Sequence, residues 1–174
     1  MNIVKLIILD VDGVLTNGKK IYNSEGVCVY KTFCDKDFTA IKKFKASGVS
    51  VCFLSGDENI NKEIAKNRNI DFYLSRFQKK EDFLPELLKT YNCSKNEVVF
   101  IGDDIFDLQL LKEVKYSFCP NDSCQEVKKE AFKILDVKGG DNVVMHLFDY
   151  LSEKNLLVEP PIEQVYALDK DEKF

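Results

Sequence analysis

A chain of 174 residues with 45% apolar and 31% charged positions has the composition of one soluble globular domain and requires no second. A net charge of −4 and an isoelectric point near 5.2, with no basic stripe or arginine cluster, argue against nucleic acid or an anionic membrane as the main partner. The apolar run near the start ends in acids, lacks a small-residue cleavage site and is far below membrane-spanning length, so the expected location is the cytoplasm.

The first predicted element is a strand over Leu6-Ile7-Ile8-Leu9, read as buried on both faces. It runs into Asp10-Val11-Asp12-Gly13. Strand periodicity sends Asp10 and Asp12 to one side, at a carboxyl end where open α/β sheets bind ligands. Such a pair asks for a cation and offers a nucleophile with an acid/base neighbour, although an isolated motif of this kind is as readily a capped turn. Lys19 to Tyr22 and Val27 to Phe33 then form a hairpin around Asn23-Ser24-Glu25-Gly26, occupying about residues 18–34 and too short for an independent lid. Its apolar residues exceed what a lone hairpin shows to water. A partner subunit is expected to cover it, the alternative being that it folds back on its own core.

Phe38, Ile41 and Phe44 recur at helical spacing before Gly48, a C-cap, and Lys42, Lys43 and Lys45 read as the solvated face of that helix. Val49 to Leu54 is a second buried strand ending at Ser55-Gly56-Asp57, Ile60, Ile64 and Ala65 mark a short helix, and Ile70 to Leu74 is a third strand. Lys79 and Lys80 open a helix with Phe83, Leu84, Leu87, Leu88 and Tyr91 inward. Val98 to Ile101 is a fourth strand, followed by Gly102-Asp103-Asp104, with Asp107 one turn on and Ile105, Leu108 and Leu111 facing the core. Shorter strands at Tyr116 to Cys119 and Phe132 to Leu135 flank a helix around Val127, and Gly139-Gly140 precedes a last helix carrying Val143 to Leu151. The alternation predicts an α/β fold: a Rossmann-like parallel sheet flanked by helices, with a β-hairpin insertion after strand one and no cap domain, all within residues 1–158. Residues 159–174, opening on Pro160-Pro161, are expected to form an extended arm able to dock on a neighbour.

Four polar groups thereby share one sheet edge: Asp10 with Asp12, Ser55, Lys80, and Asp103 with Asp104. Asp10 suits nucleophilic attack on phosphorus, and Asp12 suits protonating the departing oxygen and then deprotonating water. Repulsion among Asp10, Asp12 and Asp103 calls for a divalent ion, and hard oxygen ligands favour Mg²⁺. Ser55 and the Gly56 amide can donate to phosphate oxygens, Lys80 adds positive charge, and Asp104 and Asp107 would fix the lysine or hold water beside the ion. Each has a structural alternative: a plain N-cap for Ser55, an exposed helix-start lysine for Lys80, with Lys79 competing for its role. His146 is the single histidine, which disfavours any Ser-His-Asp or Cys-His scheme. Six cysteines without a CxxC pair read as reduced, mostly buried residues.

In DVDGVLT, the LSGD strand end, the lysine and GDDIFD, in this order, the sequence resembles the haloacid dehalogenase superfamily of phosphatases. More closely it resembles the capless branch acting on 3-deoxy-D-manno-octulosonate 8-phosphate or on nine-carbon sialic-acid-type 9-phosphates, through DVDGVLTNG, the hairpin, Lys36-Asp37, GDDIFDLQLLKEV and Lys138-Gly139-Gly140. The resemblance implies Mg²⁺-dependent hydrolysis of a phosphorylated sugar acid through an aspartyl-phosphate, in a cell-surface glycan pathway such as lipopolysaccharide biosynthesis. It also implies a homotetramer whose hairpins associate and whose tail closes a neighbour's site. Several positions depart from the family pattern: Asp57 stands where Arg is frequent, Phe38 replaces a glycine, and Ile64 and Met145 stand where arginines are common. These departures bear on the substrate and leave two alternatives, a phosphatase of another small sugar phosphate or a catalytically drifted structural or regulatory homologue.

Overall fold

The computed structural model describes residues 3–170 and 172. Strand β1 (Leu6–Leu9) lies at the centre of a six-stranded sheet with β4 (Ser50–Ser55), β5 (Asp71–Leu74), β6 (Val98–Ile101), β7 (Tyr116–Cys119) and β8 (Lys133–Ile134). The order is β5-β4-β1-β6-β7-β8 and every neighbouring pair is parallel. Continuous apolar strands suit this arrangement, because both faces are covered. Ile7, Leu9, Val51, Phe53, Val99 and Ile101 pack on one side against α1 (Asp35–Ala46), α2 (Asn59–Asn67) and α6 (Val143–Glu153). Leu6, Ile8, Cys52, Leu54, Val98 and Phe100 pack on the other against α3 (Leu84–Thr90), α4 (Leu108–Glu113) and α5 (Gln125–Glu130). The strand order reverses beside β1, which opens the crevice between β1 and its neighbours at their carboxyl ends.

Helix α6 has no side-chain cap of its own, since Asn142 is left-handed at φ 62° and its side chain caps nothing. Asp37, fully buried in the first turn of α1, substitutes across the interface: its Oδ1 accepts from Val144 N (2.8 Å) and Met145 N (3.2 Å). That contact, together with Phe44 stacked edge-on to Phe148 at 5.0 Å, fixes α1 on α6. Among the described residues no helix is long and apolar enough to cross a membrane.

Several expectations need correcting. The hairpin strands are shorter than expected, β2 (Ile21–Tyr22) and β3 (Cys28–Tyr30), and pair only with each other, with a register shift between Ile21 and Tyr22. The ribbon does not fold back on the core: Ile21, Tyr22, Val27, Val29 and Tyr30 are all exposed. The segment opened by Lys80 begins as a 3₁₀ turn (Lys80–Phe83) before α3. Ile105 is 52% exposed, because the residues after Asp104 make a 3₁₀ turn (Ile105–Asp107) that points it outward before α4 establishes the inward face of Leu110 and Leu111.

The tail is not an extended arm. Helix α7 (Ile162–Lys170) packs on α1, burying Val165. Lys42 consequently leaves the solvated class: it is buried, with Nζ 2.6 Å from Asp169 and 3.2 Å from Glu172. Lys43 lies over the Phe148 ring and Lys45 donates to the carbonyls of Arg68 and Asn69, so the lysine row of α1 is largely engaged by the fold.

Candidate active site

A cavity of about 990 Å³ opens at the carboxyl edge of the sheet, and its lining includes Asp10, Asp12, Ser55, Gly56, Lys80, Asp103, Asp104 and Asp107. Asp10 directly follows β1, and its backbone N–H still donates to Ile101 O (3.0 Å), so the strand ladder sets its position. Lys80 Nζ lies 2.9 Å from Asp10 Oδ1 and 2.6 Å from Asp107 Oδ1, all three side chains being almost wholly buried. Asp107 is held in turn: its Oδ2 accepts from the backbone N–H groups of Asp103 (3.0 Å) and Asp104 (3.1 Å). The two motif glycines follow from these carboxylates. A Cβ on Gly13, at φ +94°, would come within 2.0 Å of Asp103 Oδ2, and one on Gly102 within 2.4 Å of Asp107 Cγ.

Lys79 does not compete with Lys80, which is the lysine that reaches Asp10. Asp104 turns away from it: the exposed carboxylate accepts from Ile105 N (2.7 Å) and caps the 3₁₀ turn, so Asp107 alone of the two holds the lysine. Ser55 Oγ accepts from Asn61 Nδ2 (3.0 Å) and from Asp57 N (3.2 Å). It is not the N-cap of α2, a position held by Glu58; Gly56 therefore sits in the approach loop rather than at the helix start.

Asp10 and Asp12 line the same cavity, but their carboxylates part. Asp12 lies against Lys31 Nζ (2.8 Å), Lys20 Nζ (3.3 Å) and Asn61 Nδ2 (3.1 Å). No motif in the sequence marks Lys20, Lys31 or Asn61 as a site residue. The lysines stand at the two legs of a hairpin and Asn61 one turn into α2, so only the tertiary fold brings them to one acid. A weak signal existed in the lysines' placement, each adjoining one strand of the ribbon.

Among the described residues, the set close enough to share one ion is Asp10, Asp103 and Asp107, each offering an oxygen within 4.8 Å of the others; the Asp12 carboxylate is outside it. Burial, followed by the repulsion of Asp10 and Asp107, carries the Asp103 carboxyl well above the usual carboxylate range. Burial does the same to Asp10 against the pull of Lys80. Lys80 moves upward although burial opposes it, because Asp10 and Asp107 outweigh that cost. One ammonium among three carboxylates leaves an excess of negative charge. Asp103 Oδ1 is moreover buried without a hydrogen-bond partner. Hard oxygen donors, surplus anion and an unpartnered buried oxygen fit a small divalent cation such as Mg²⁺.

Comparison with known proteins agrees with this geometry. A family model described as haloacid dehalogenase-like hydrolase matches residues 57–147. The 3-deoxy-D-manno-octulosonate 8-phosphate phosphatase of Haemophilus influenzae is 29% identical over 150 residues, 85% of this chain and 82% of the relative. Its cobalt-bound structure superposes with a TM-score of 0.81 at 30% identity, covering 86% of this chain and 88% of that one. The Moraxella catarrhalis enzyme of the same name, solved with a magnesium ion, a phosphate ion and the sugar acid, gives 0.80 at 26% identity, covering 89% and 90%. With the fold, the edge cavity and the family match in agreement, the chain belongs to the haloacid dehalogenase-like hydrolases and is a phosphoric monoester hydrolase.

Proposed function

We propose that the protein is a Mg²⁺-dependent phosphatase that removes the terminal phosphate from a 2-keto-3-deoxy sugar acid. The substrate is 3-deoxy-D-manno-octulosonate 8-phosphate or a nine-carbon sialic-acid-type 9-phosphate. The observation that carries this reading is the buried Lys80 ammonium shared by Asp10 and Asp107 beside Asp103, with the Ser55 hydroxyl on the same cavity. The likeness to the 3-deoxy-D-manno-octulosonate 8-phosphate phosphatases supports the substrate class.

Asp10 attacks phosphorus through one carboxylate oxygen, forming an aspartyl-phosphate as the ester oxygen departs. Asp12 gives that oxygen its proton and takes one from the water that cleaves the acyl phosphate. Lys80 holds Asp10 oriented and faces the charge developing on the phosphoryl oxygens, to which Ser55 and the Gly56 amide donate. Asp10, Asp103 and Asp107 would hold Mg²⁺, which would supply positive charge to offset the repulsion between the carboxylates and an anionic phosphate. We assign the enzyme to the cytoplasm, in keeping with its six free thiols, and to a homotetramer built on the apolar hairpin.

A panel of phosphate esters ranked by kcat/KM with Mg²⁺ tests this. The eight- or nine-carbon sugar acid phosphate should rank first and other sugar phosphates well below it. A different sugar phosphate at the top overturns the substrate assignment, and no phosphate release from any ester overturns the phosphatase itself.

A further inference from the structure

Two lysines bracket the hairpin at its base: Lys20 directly precedes β2 and Lys31 directly follows β3. Both ammonium groups reach the same two carboxylates, Asp12 beyond β1 and Asp57 beyond β4. Lys31 is the more deeply committed. Its side chain is 1% exposed, and its Nζ lies 2.9 Å from Asp12 Oδ2, 2.8 Å from Asp57 Oδ2 and 2.8 Å from Asn61 Oδ1. An ammonium has three N–H donors, and three partners occupy them, so Lys31 has none left for a substrate.

Two cations and two anions make a neutral knot, which limits the cost of withdrawing them from water. Asn61 ties the knot to the phosphate side of the cavity, its Nδ2 donating to both Asp12 Oδ2 (3.1 Å) and Ser55 Oγ (3.0 Å). The ribbon needs such an anchor. A two-stranded hairpin is marginal alone, and this one pairs with no other strand. The Asp12 carboxylate, on the turn after β1, is steadied by the same contacts.

We propose that Lys31 is a positioning residue for the reaction: it aims the Asp12 carboxylate at the leaving group and, with Lys20, makes that aim depend on the seated hairpin. The proposal rests on the phosphatase reading, in which Asp12 protonates the departing oxygen. Losing the aim slows hydrolysis of the aspartyl-phosphate for every ester, but kcat/KM, which ends at formation of that intermediate, falls only for esters whose leaving group needs the proton.

The test is Lys31→Met, assayed with Mg²⁺ on phenyl phosphate, whose phenol leaves poorly without a proton, and on 4-nitrophenyl phosphate, whose nitrophenolate leaves unaided. The expected result is a fall in kcat/KM of about 10- to 100-fold for the phenyl ester and of less than about threefold for the nitrophenyl ester. Both esters are read on one preparation, so any loss of folded protein cancels from their ratio. Lys31→Gln, which removes the charge and keeps two of the three N–H donors, gives the same readout should the methionine variant not fold. An equal loss on both esters, or none, overturns the proposal alone. A parent enzyme that hydrolyses neither ester overturns the phosphatase reading and the proposal with it.

Discussion

Lys80 shows how one buried charge organises a site. Its ammonium is the counter-ion for Asp10 and Asp107, while Asp103 stands close enough to repel both. Replacing it by methionine strands these carboxylates in a buried place, a change that costs about 3 kcal/mol or more at neutral pH. We therefore expect Lys80→Met to lose activity at least 100-fold and to unfold at lower denaturant. The stability deficit should shrink as the pH falls and the carboxylates take up protons, which denaturant titrations at several pH values would show. Asp10, Lys80, Asp103 and Asp107 were legible in the sequence because each closes or follows a strand or opens the next helix, where chain order alone sets the edge. Lys20, Lys31 and Asn61 were not, since a lysine adjoining a ribbon strand is only a weak local mark, and the tertiary fold alone decides which acid it meets.

Elements were legible to the degree that they bury their own residues. The central strands β1, β4 and β6 are apolar throughout and lie where the runs of Ile, Val, Leu and Phe put them. Helix α7 is different. Val165 is its one buried residue, and its seating on α1 depends on Lys42 meeting Asp169 and Glu172, a contact across more than 120 positions that no periodicity reports. The docking of α6 likewise depends on Asp37, whose carboxyl is pushed up to about 6 by burial, against the backbone N–H groups of Met145 and Val144. The folded-state value lies above the unfolded one near 4, so the folded protein binds the extra proton. This contribution is present below about pH 4 and is lost as the pH rises through about 6. Asp37→Asn has no proton to lose. Denaturant unfolding of the two proteins should show the parent losing stability relative to the variant between those pH values, by on the order of 2 kcal/mol; parallel pH profiles would contradict the assignment.

At the scale of the molecule, the crevice beside β1 explains why the site is open and why the hairpin matters. The ribbon is anchored at its base, where Lys20 lines the cavity, and it exposes Ile21, Tyr22, Val27, Val29 and Tyr30. Tyr30, 66% exposed, and Ile21, 61% exposed, would stand at the centre of the proposed interface between copies. If the proposed homotetramer of the 20.0 kDa chain is built on this hairpin, the double variant Ile21→Lys, Tyr30→Lys should lower the particle mass in light scattering, with the fold of the core unchanged. An unaltered mass would remove the hairpin from the interface.

The most direct measurement is phosphate release by Asp10→Asn, with Mg²⁺, from the ester the parent turns over best. Asparagine keeps the shape and removes the attacking carboxylate. The nucleophile assignment predicts a fall of at least about 10³-fold with the thermal midpoint retained. A folded Asp10→Asn enzyme that turns over at the parent's rate would contradict it.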